Sequence, residues 1–497
     1  MARAPQQIFL AGLTAALLAA ACSPAPAVPD RTHAWPDELR IQGAVLVAHQ
    51  DELSEAVLAR FHQLAGGDEA RIGIEEGAAR GSRATAFVEE LTASGVEIVH
   101  APAATEGLTA LWLAAPPSSS HSPLRAVIDA GGVVLVPAPE RPSAGIVPGA
   151  LLEALGESDG PDRAALPPRT FGVTLGPGTV LELNGRRLRA LAGEAHLFVG
   201  SANGRASREV TLEAGRPGRA NLADLTAWRR EAIERTLPPF PPAHPPIPFV
   251  PRGTLVIVGG GGMPSPIMET FVEAAGGSEA RLVFVPASEA DEVGSEPGLV
   301  GRWRDMGVAS ATWIHTKDRE RADTDEAFLA PLLDATGIWF GGGRQWNFSD
   351  SYYGTTAHRL MLEVLERGGA IGGSSAGASI QAAHMARGDP LGNQNIIAPG
   401  YERGLGFIRG VSVDQHFSER NRQADMEELI ATYPALLGIG VDEATALVVR
   451  QGFGEVIGRS EVHFYDRRQD PEATPVRLGS GGVYDLVRRR IVILPPE

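Results

Sequence analysis

A proline-rich segment from Leu237 to Gly253 divides this chain into two halves. Eight prolines lie between Pro238 and Pro251. Proline fixes φ and lacks a backbone N–H group, so such a run continues neither a helix nor a central strand and favours an extended spacer. We therefore predict a linker over residues 237–252. The 497 residues also exceed what one hydrophobic core usually serves, which predicts domains over residues 36–236 and 253–497.

The two halves follow the same plan. Residues Gly43–Ile74 and Gly253–Val285 both read as strand, loop, helix, Gly-Gly and strand. Leu108–Pro116 parallels Ala335–Gly343, and three further pairs of segments follow in the same order. Apolar strands that alternate with helices are typical of α/β domains with mainly parallel sheets flanked by helices. We predict two tandem α/β domains related by duplication; the alternative is the general likeness of any two βα-rich segments.

The composition indicates an acidic, globular protein. Apolar residues make up 43% of the chain and charged residues 21%, and the formal net charge is −16. This charge disfavours binding to a phosphate backbone, so we expect no nucleic-acid partner. Cys22 is the only cysteine, which excludes disulfides and cysteine-ligated zinc. The 12 histidines lack the spacing of a metal motif, and we predict neither a metal nor a cofactor.

The N-terminus has the features of an export signal over residues 1–21. Arg3 supplies a positive charge, and the apolar stretch Ile8–Ala21 is too short to span a bilayer. Cys22 follows Leu-Leu-Ala-Ala-Ala, which resembles a bacterial lipoprotein box. We predict an exported protein that is lipid-anchored at Cys22 in the cell envelope. The alternative is an ordinary signal peptide and a secreted protein.

The segment Gly368–Ser379, Gly-Gly-Ala-Ile-Gly-Gly-Ser-Ser-Ala-Gly-Ala-Ser, places Ser375 on a glycine-framed turn between a short apolar strand and a helix. Such a turn exposes a hydroxyl and directs backbone N–H groups towards a developing oxyanion. The string fits G-x-S-x-G, a pattern shared by esterases and peptidases. In isolation the string is more typical of a simple turn that packs a helix on a sheet.

Residues downstream of Ser375 supply the rest of a catalytic set. His416 lies in Asp-Gln-His-Phe, and Glu443 lies in Gly-Val-Asp-Glu-Ala. A nucleophile, a base and an orienting carboxylate are thus present in the order Ser, His, Glu. The glycines of Phe-Gly-Gly-Gly-Arg-Gln would end a parallel strand, and N–H groups of Gly342 and Ala376 could form an oxyanion hole. The run Gly259–Gly262 does not fit a dinucleotide loop, because Pro264 replaces the last glycine of that motif.

These motifs together resemble the S51 serine peptidases, and most closely their cyanophycinase branch. In order they are Val-Ile-Val-Gly-Gly-Gly-Gly, Phe-Gly-Gly-Gly-Arg-Gln, Gly-Gly-Ser-Ser-Ala-Gly-Ala, Val-Asp-Gln-His-Phe-Ser-Glu-Arg-Asn-Arg and Gly-Ile-Gly-Val-Asp-Glu-Ala-Thr-Ala, between Gly253 and Tyr465. The resemblance implies a class I glutamine amidotransferase-like, flavodoxin-like fold. It assigns the nucleophile to Ser375, the base to His416 and the third member to Glu443. The positions that it assigns to substrate contact are Gln345, Asp414, Gln415, Arg420 and Arg422.

One position departs from the family pattern. Cyanophycin-cleaving members usually have a third arginine three positions after the second, and here that position is Asp425. The reversed charge puts strict β-aspartyl-arginine specificity in doubt. We expect Asp425 to repel a substrate carboxylate, so that Asp425→Arg would improve cleavage.

In the alignment of the two halves, the first half has no reactive residue at the corresponding positions. Ser375 falls opposite Ala138, and Glu443 falls opposite Pro177. We therefore predict that residues 36–236 are a degenerate, non-catalytic copy.

Three functions are compatible with the sequence. The leading hypothesis is an extracytoplasmic serine peptidase of cyanophycinase type that acts on β-aspartyl-linked or related aspartyl peptides. An α/β-hydrolase esterase is disfavoured because that fold places its acid before its histidine in the chain. A non-catalytic peptide-binding lipoprotein is the third. The sequence leaves the scissile linkage open, and it leaves open whether the protein is a homodimer.

Overall fold

The structure, a computed structural model, describes residues 166–493 without a gap and much of residues 42–154. Between 42 and 154 the description leaves out residues 50–52, 76–77, 80, 101–104, 106–107, 115–121, 140–142, 145–146 and 148–149. The predicted signal segment 1–21 and Cys22 lie outside the described residues. In the part of the chain that is described, no helix is both long enough and apolar enough to cross a bilayer.

The described residues form two compact units, of which the first ends at Pro239 and the second begins at Phe240. This boundary falls inside the predicted linker. The later part of that linker is packed on the second unit rather than extended as a free spacer. The ring of Phe240 stacks on His384 with 6.1 Å between centroids, and the guanidinium of Arg403 lies 4.0 Å from the Phe240 ring. A strand begins at Val250, which pairs with Gln451.

The first unit contains two sheets. Its strands are β1 (Ala44–His49), β2 (Arg71–Ile74), β3 (Glu97–His100), β4 (Ala110–Trp112), β5 (Val133–Pro137), β6 (Ser143–Ala144), β7 (Ala150–Ala154), β8 (Phe171–Leu175), β9 (Thr179–Asn184), β10 (Arg187–Ala192), β11 (Glu194–Val199), β12 (Arg208–Glu213) and β13 (Ala223–Asp224). Its helices are α1 (Glu55–Ala65), α2 (Ser82–Ser94), α3 (Ser122–Asp129) and α4 (Leu225–Glu234). The sheet orders are β3-β2-β4-β5-β1-β9-β10-β13 and β6-β7-β8-β11-β12.

The second unit also contains two sheets. Its strands are β14 (Val250–Val258), β15 (Arg281–Ala287), β16 (Ser310–Trp313), β17 (Gly337–Gly343), β18 (Ala370–Ser374), β19 (Ala382–Met385), β20 (Ile408–Gln415), β21 (Leu437–Val441), β22 (Thr445–Gln451), β23 (Phe453–Gly458), β24 (Val462–Tyr465), β25 (Val476–Leu478), β26 (Val483–Asp485) and β27 (Arg490–Ile493). Its helices are α5 (Ser265–Ala274), α6 (Gly298–Asp305), α7 (Arg319–Thr324), α8 (Glu326–Leu333), α9 (Trp346–Tyr352), α10 (Thr356–Glu366), α11 (Ala376–Ser379) and α12 (Gln423–Thr432). The sheet orders are β16-β15-β17-β18-β14-β22-β23-β26-β27 and β19-β20-β21-β24-β25.

The predicted α/β class is confirmed, with one refinement. The strands from β16 to β14 pair in parallel, whereas β22, β23, β26 and β27 extend the sheet in antiparallel fashion. In the first unit, the strands on one side of β1 likewise pair in parallel, and those on the other side pair in antiparallel fashion. The four residues Leu255–Val258 in β14 are each at most 1% exposed. Parallel strands of this kind are buried on both faces, which explains their continuous apolar sequences.

The large sheets of the two units agree in strand order and in register. In the first unit Val45 pairs with Val134 and with Leu183, and in the second unit Leu255 pairs with Ile371 and with Val449. These pairs are related by the same alignment that relates the two halves in sequence. One difference lies in the small sheets, where β6 and β7 are antiparallel but β19 and β20 are parallel.

Glycines at aligned positions in the two units lie against the same neighbouring residues. A Cβ added to Gly132 would lie 2.6 Å from the carbonyl oxygen of Thr109 and 2.8 Å from Val127 Cγ1. A Cβ added to the aligned Gly369 would meet Thr336 and Val364, the residues aligned with those two. Shared steric requirements of this kind are not produced by βα composition alone, so they support the duplication.

Candidate active site

Ser375 occupies a turn that only glycine neighbours allow. It follows β18 and precedes α11, and its backbone has φ 58° and ψ −114°. A Cβ on Gly373 would overlap the carbonyl of Gly377, and a Cβ on Gly377 would overlap the carbonyl of Phe340. A residue other than glycine with such a φ costs on the order of 1–3 kcal/mol and persists where its surroundings enforce it. The turn places Ser375 at the carboxyl edge of the parallel strands, where open α/β sheets bind their ligands.

Ser375, His416 and Glu443 form a chain of short contacts. Ser375 Oγ lies 2.8 Å from His416 Nε2, and His416 Nδ1 lies 2.5 Å from Glu443 Oε1. His416 directly follows β20, and Glu443 follows the neighbouring parallel strand β21. The large sheet therefore supplies the hydroxyl, and the small sheet supplies the imidazole and the carboxylate. The spacing suits a nucleophile, a base and the group that orients the base.

The glycine run Gly259–Gly262 makes room for two of these side chains. Gly260 and Gly261 have φ of 106° and 65°. A Cβ on Gly260 would overlap the His416 ring, and a Cβ on Gly261 would overlap the Glu443 carboxylate. The carbonyl of Gly259 accepts a hydrogen bond of 2.8 Å from the His416 N–H. Sequence reasoning excluded a dinucleotide loop here without finding this role, although four glycines at the end of a central strand were the available signal.

The surroundings of His416 lower the pKa of its imidazole below the usual value. Burial is the largest cause, and the positive charges of Arg420 and Arg422 act in the same direction. The hydrogen bond with Glu443 acts against them, because it favours the charged ring. The neutral ring, which is the form that can accept a proton from Ser375, therefore persists to lower pH than in an ordinary histidine.

The predicted oxyanion-hole positions lie beside Ser375. Ala376 is the first residue of α11, and the first N–H groups of a helix have no partner within that helix. Gly342 lies near the end of β17, and a Cβ placed on it would lie 3.6 Å from Ser375 Cβ. Both backbone segments are thus close enough to the hydroxyl for their N–H groups to serve an oxygen that develops negative charge.

Two residues predicted to contact substrate are engaged within the protein. Gln345 is 3% exposed, and its Nε2 donates hydrogen bonds of 2.7 and 2.9 Å to the carbonyls of Ala386 and Arg387. Asp414 is 0% exposed and is hydrogen-bonded to arginines on both sides. The Gln345 amino group and the Asp414 carboxylate thus have internal partners that hold the segments around the site, and their direct contact with substrate stays a prediction.

Gln415 and Arg420 keep polar groups for a ligand. Gln415 is 4% exposed, and within the described part of the chain its buried Oε1 has no hydrogen-bond partner. Arg420 is exposed, and its charge acts on His416. The Arg420 guanidinium is therefore exposed, whereas the Gln415 oxygen is unsatisfied but buried, and the contact of both residues with substrate stays a prediction.

A cluster of alternating charges holds the segment around His416. Arg387 Nε lies 2.9 Å from Asp414, and Arg387 Nη2 lies 2.5 Å from Asp425. Arg422 Nη1 lies 2.9 Å from Asp414 and donates to the Gln415 carbonyl at 2.5 Å. Burial lowers the pKa of Arg422 to about 10, although the charge of Asp414 opposes that shift. Sequence reasoning missed Arg387, because it lies in a loop outside every motif.

The contact between Arg387 and Asp425 changes the interpretation of Asp425. The side chain of Asp425 is 39% exposed, and its carboxylate neutralises a buried guanidinium. The expectation that Asp425 presents a free negative charge to the substrate is therefore wrong, because that charge is already compensated by an arginine 38 positions away.

Asp442 connects the segments that carry His416 and Glu443. It accepts a 3.0 Å hydrogen bond from the Ser418 N–H and a 2.8 Å hydrogen bond from the Ser460 hydroxyl. Burial raises its pKa, but hydrogen bonds from His463, Ser418 and Ser460 outweigh burial and hold that pKa well below its usual range. Asp442, Glu461 and His463 place potential metal-ligand atoms within 4.8 Å of one another. Because these donors already occupy Asp442, we assign no metal there.

Comparison with known proteins identifies the second unit. The sequence model for Peptidase family S51 matches residues 255–457. A cyanophycinase from Synechococcus elongatus is 35% identical over 210 residues, which are 41% of this chain and 63% of that protein. A cyanophycinase from Geminocystis herdmanii is 30% identical over 203 residues, which are 40% of this chain and 74% of that protein. The chain thus spans less than two thirds of the Synechococcus protein.

Two solved structures each cover a little under half of the chain. A peptidase from an acI-B1 Actinobacterium has 22% identity and a TM-score of 0.37, and it covers 48% of this chain and 98% of its own. A putative peptidase E protein from Listeria monocytogenes has 17% identity and a TM-score of 0.30, and it covers 42% of this chain and 98% of its own. The matched residues 255–457 include Ser375, His416 and Glu443. The sequence matches establish that the chain belongs to peptidase family S51.

Proposed function

We propose that the second unit is a serine peptidase of cyanophycinase type. The observation that carries this proposal is the contact chain from Ser375 Oγ through His416 to Glu443, with spacings of 2.8 and 2.5 Å, on a turn whose backbone is held at positive φ. Such a turn is unfavourable in free energy, and it exposes the nucleophile to substrate.

In the proposed reaction, His416 Nε2 accepts the proton of Ser375 Oγ while that oxygen attacks the carbonyl carbon of the scissile amide. Glu443 accepts a hydrogen bond from His416 Nδ1 and stabilises the charged ring. The N–H groups of Gly342 and Ala376 would donate to the oxyanion of the tetrahedral intermediate. His416 then gives the proton to the leaving amine, the C–N bond breaks, and an acyl-enzyme remains. A water molecule repeats the sequence on the ester and releases the acid.

We propose β-aspartyl-linked peptides, of which cyanophycin is the polymeric form, as the substrate class. Two features support this choice: the relatives are cyanophycinases, and Arg420 and Gln415 offer a guanidinium and an amide oxygen to a zwitterionic dipeptide unit. We further propose that the enzyme acts outside the cytoplasm, as the N-terminal sequence features predict, either anchored through Cys22 or secreted.

The test uses the full chain, incubated with cyanophycin, with β-aspartyl-arginine and with an α-aspartyl dipeptide, while product masses are followed. Ser375→Ala should lower kcat by about 10⁴-fold or more, because only binding and the oxyanion hole would remain. Ser374→Ala is the matched control, since it removes the adjacent hydroxyl and should leave turnover near that of the wild type. Near-normal turnover by a folded Ser375→Ala protein would disprove a serine mechanism.

A further inference from the structure

The second unit contains a small pocket that the proposed reaction does not use. Its volume is about 90 Å³, and its wall includes the side chains of Arg403, Arg409, His358 and Phe240. No acidic residue is among the described residues that line it. The pocket therefore combines two guanidinium groups with aromatic and apolar surface.

Arg409 is the central observation. It is half-buried near the start of β20, and within the described part of the chain no hydrogen bond or ion pair of its side chain is found. Burial alone lowers the pKa of this guanidinium, without a carboxylate that acts in the opposite direction. Arginine nevertheless remains charged in proteins. Withdrawing a charged group from water without a partner is unfavourable, so this position invites an anion.

The other polar residues of the wall fix the sign of the pocket. His358 is buried, and burial lowers its pKa to about 4, with Arg319 contributing in the same direction and the Leu405 carbonyl opposing. Its ring is therefore neutral at pH 7, with Nε2 2.8 Å from the Leu405 carbonyl and Nδ1 accepting from the Gly354 N–H. The Arg403 guanidinium lies 4.0 Å from the Phe240 ring, which holds it in place. The positive charge that the pocket offers to a ligand is thus that of Arg409.

The pocket is separate from Ser375 and His416. The described residues that line it include none of Ser375, His416, Glu443, Gly342 and Ala376.

We propose that this pocket binds a small oxyanion, which is either a carboxylate or a tetrahedral anion such as inorganic phosphate. Both place oxygen acceptors on a guanidinium, and both are small enough for a pocket of about 90 Å³. The inference is independent of the proposed hydrolysis, since it uses none of the residues of that reaction.

The test is calorimetric titration of the full chain with inorganic phosphate and, separately, with N-acetyl-aspartate, at constant ionic strength in chloride. The Ser375→Ala background prevents any turnover during the measurement. Saturable binding of either probe is expected, and Arg409→Gln should weaken it about tenfold or more, the scale of one charge-assisted contact. Arg409→Lys should retain much of the affinity. Arg450→Gln, which removes an exposed arginine elsewhere in the same unit, is the matched control and should have no effect.

The two probes distinguish the source of the anion. Binding of phosphate alone would support a tetrahedral anion, and binding of N-acetyl-aspartate alone would support an acidic peptide. If Arg409→Gln does not fold, Arg403→Gln provides the second measurement. The proposal is overturned if neither probe binds to a saturable site, or if folded Arg409→Gln binds as tightly as Arg450→Gln. Hydrolysis by Arg409→Gln should equal that of the wild type, so failure here leaves the proposed peptidase activity unaffected.

Discussion

Among the charged residues that lower the pKa of His416, Arg420 contributes the most. It is exposed, and its positive charge contributes to the lowered pKa of His416. The same arginine is also a candidate for substrate contact, so a change in KM alone would not separate the two roles. The pH at which activity declines does separate them, because that pH follows the protonation of the free base.

We expect Arg420→Gln to raise the pKa of His416, since a positive charge that opposes protonation is removed. The acid limb of kcat/KM should then move to higher pH, by an amount that solvent screening of an exposed charge keeps small. Activity would therefore be lost earlier as the pH falls. The measurement is a pH profile from 4.5 to 8 at fixed ionic strength, with Arg450→Gln as the control. An acid limb at an unchanged or lower pH would contradict the assigned role of Arg420.

Asp425 leads to a prediction opposite to the one drawn from the sequence. Asp425→Arg would bring a third guanidinium towards Arg387 and Arg422 and remove the carboxylate that faces Arg387. We expect the free energy of unfolding to fall by about 1–2 kcal/mol, reduced from the full cost of a buried pair because Asp425 is partly exposed. Hydrolysis of β-aspartyl-arginine should also decrease. Asp425→Asn keeps the shape without the charge and should give a smaller loss.

Denaturant unfolding and steady-state rates on the same preparations test this prediction. Faster cleavage by Asp425→Arg than by the wild type would restore the interpretation of Asp425 as a specificity residue that repels substrate.

At the scale of elements, the strand ends determine the geometry of the site. Ser375 follows β18, the glycine run follows β14, and these two strands pair in parallel, so their ends meet at one edge. The N–H of Ser375 donates a 3.0 Å hydrogen bond to the carbonyl of Val258 at the end of β14. The catalytic turn and the glycine run are therefore joined directly through the backbone.

We expect Gly261→Ala to lower kcat by about 10- to 100-fold, because the new methyl group would displace the Glu443 carboxylate and with it the orientation of His416. Gly301→Ala is the matched control. A Cβ at Gly301, within helix α6, meets nothing within 4 Å, so this change should leave kcat unaltered and stabilise the protein by about 0.5–1 kcal/mol. Rates and thermal unfolding of both variants are to be compared. Equal activity of the two alanine variants would refute the role given to the glycine run.

The sequence predicts those parts of the site that local patterns specify. Ser375, His416 and Glu443 each follow an apolar strand and carry a recognisable motif, so strand order brings them to one edge. Arg387 could not be predicted, because its importance comes from contacts with Asp414 and Asp425, which are 27 and 38 residues away in the chain. The internal hydrogen bonds of Gln345 could not be predicted for a related reason. A motif identifies the residue type, but it does not identify the buried carbonyls to which the side chain donates.

At the scale of the whole molecule, the described residues of the proposed site all belong to the second unit. That unit has its own buried core, which includes Trp303, Trp339 and Phe271. The fragment from Leu237 to Glu497 should therefore fold by itself and hydrolyse β-aspartyl-arginine with a kcat/KM of the same order as that of the full chain. Circular dichroism and steady-state rates check this expectation. A folded fragment without activity would indicate that the first unit contributes to the site.

The backbone of Ser375 also bears on the history of the chain. Ala138 holds the aligned position after β5, and its φ, unlike that of Ser375, is not positive. In a duplicated gene, one functional copy frees the other from selection for chemistry, while selection for folding continues. Under the predicted duplication, the unfavourable backbone conformation would be lost together with the hydroxyl that it exposes, while the strand registers would be retained. Introducing a serine at position 138 alone would consequently supply the hydroxyl but not its exposure, so activity in the first unit would require the conformation of the turn as well.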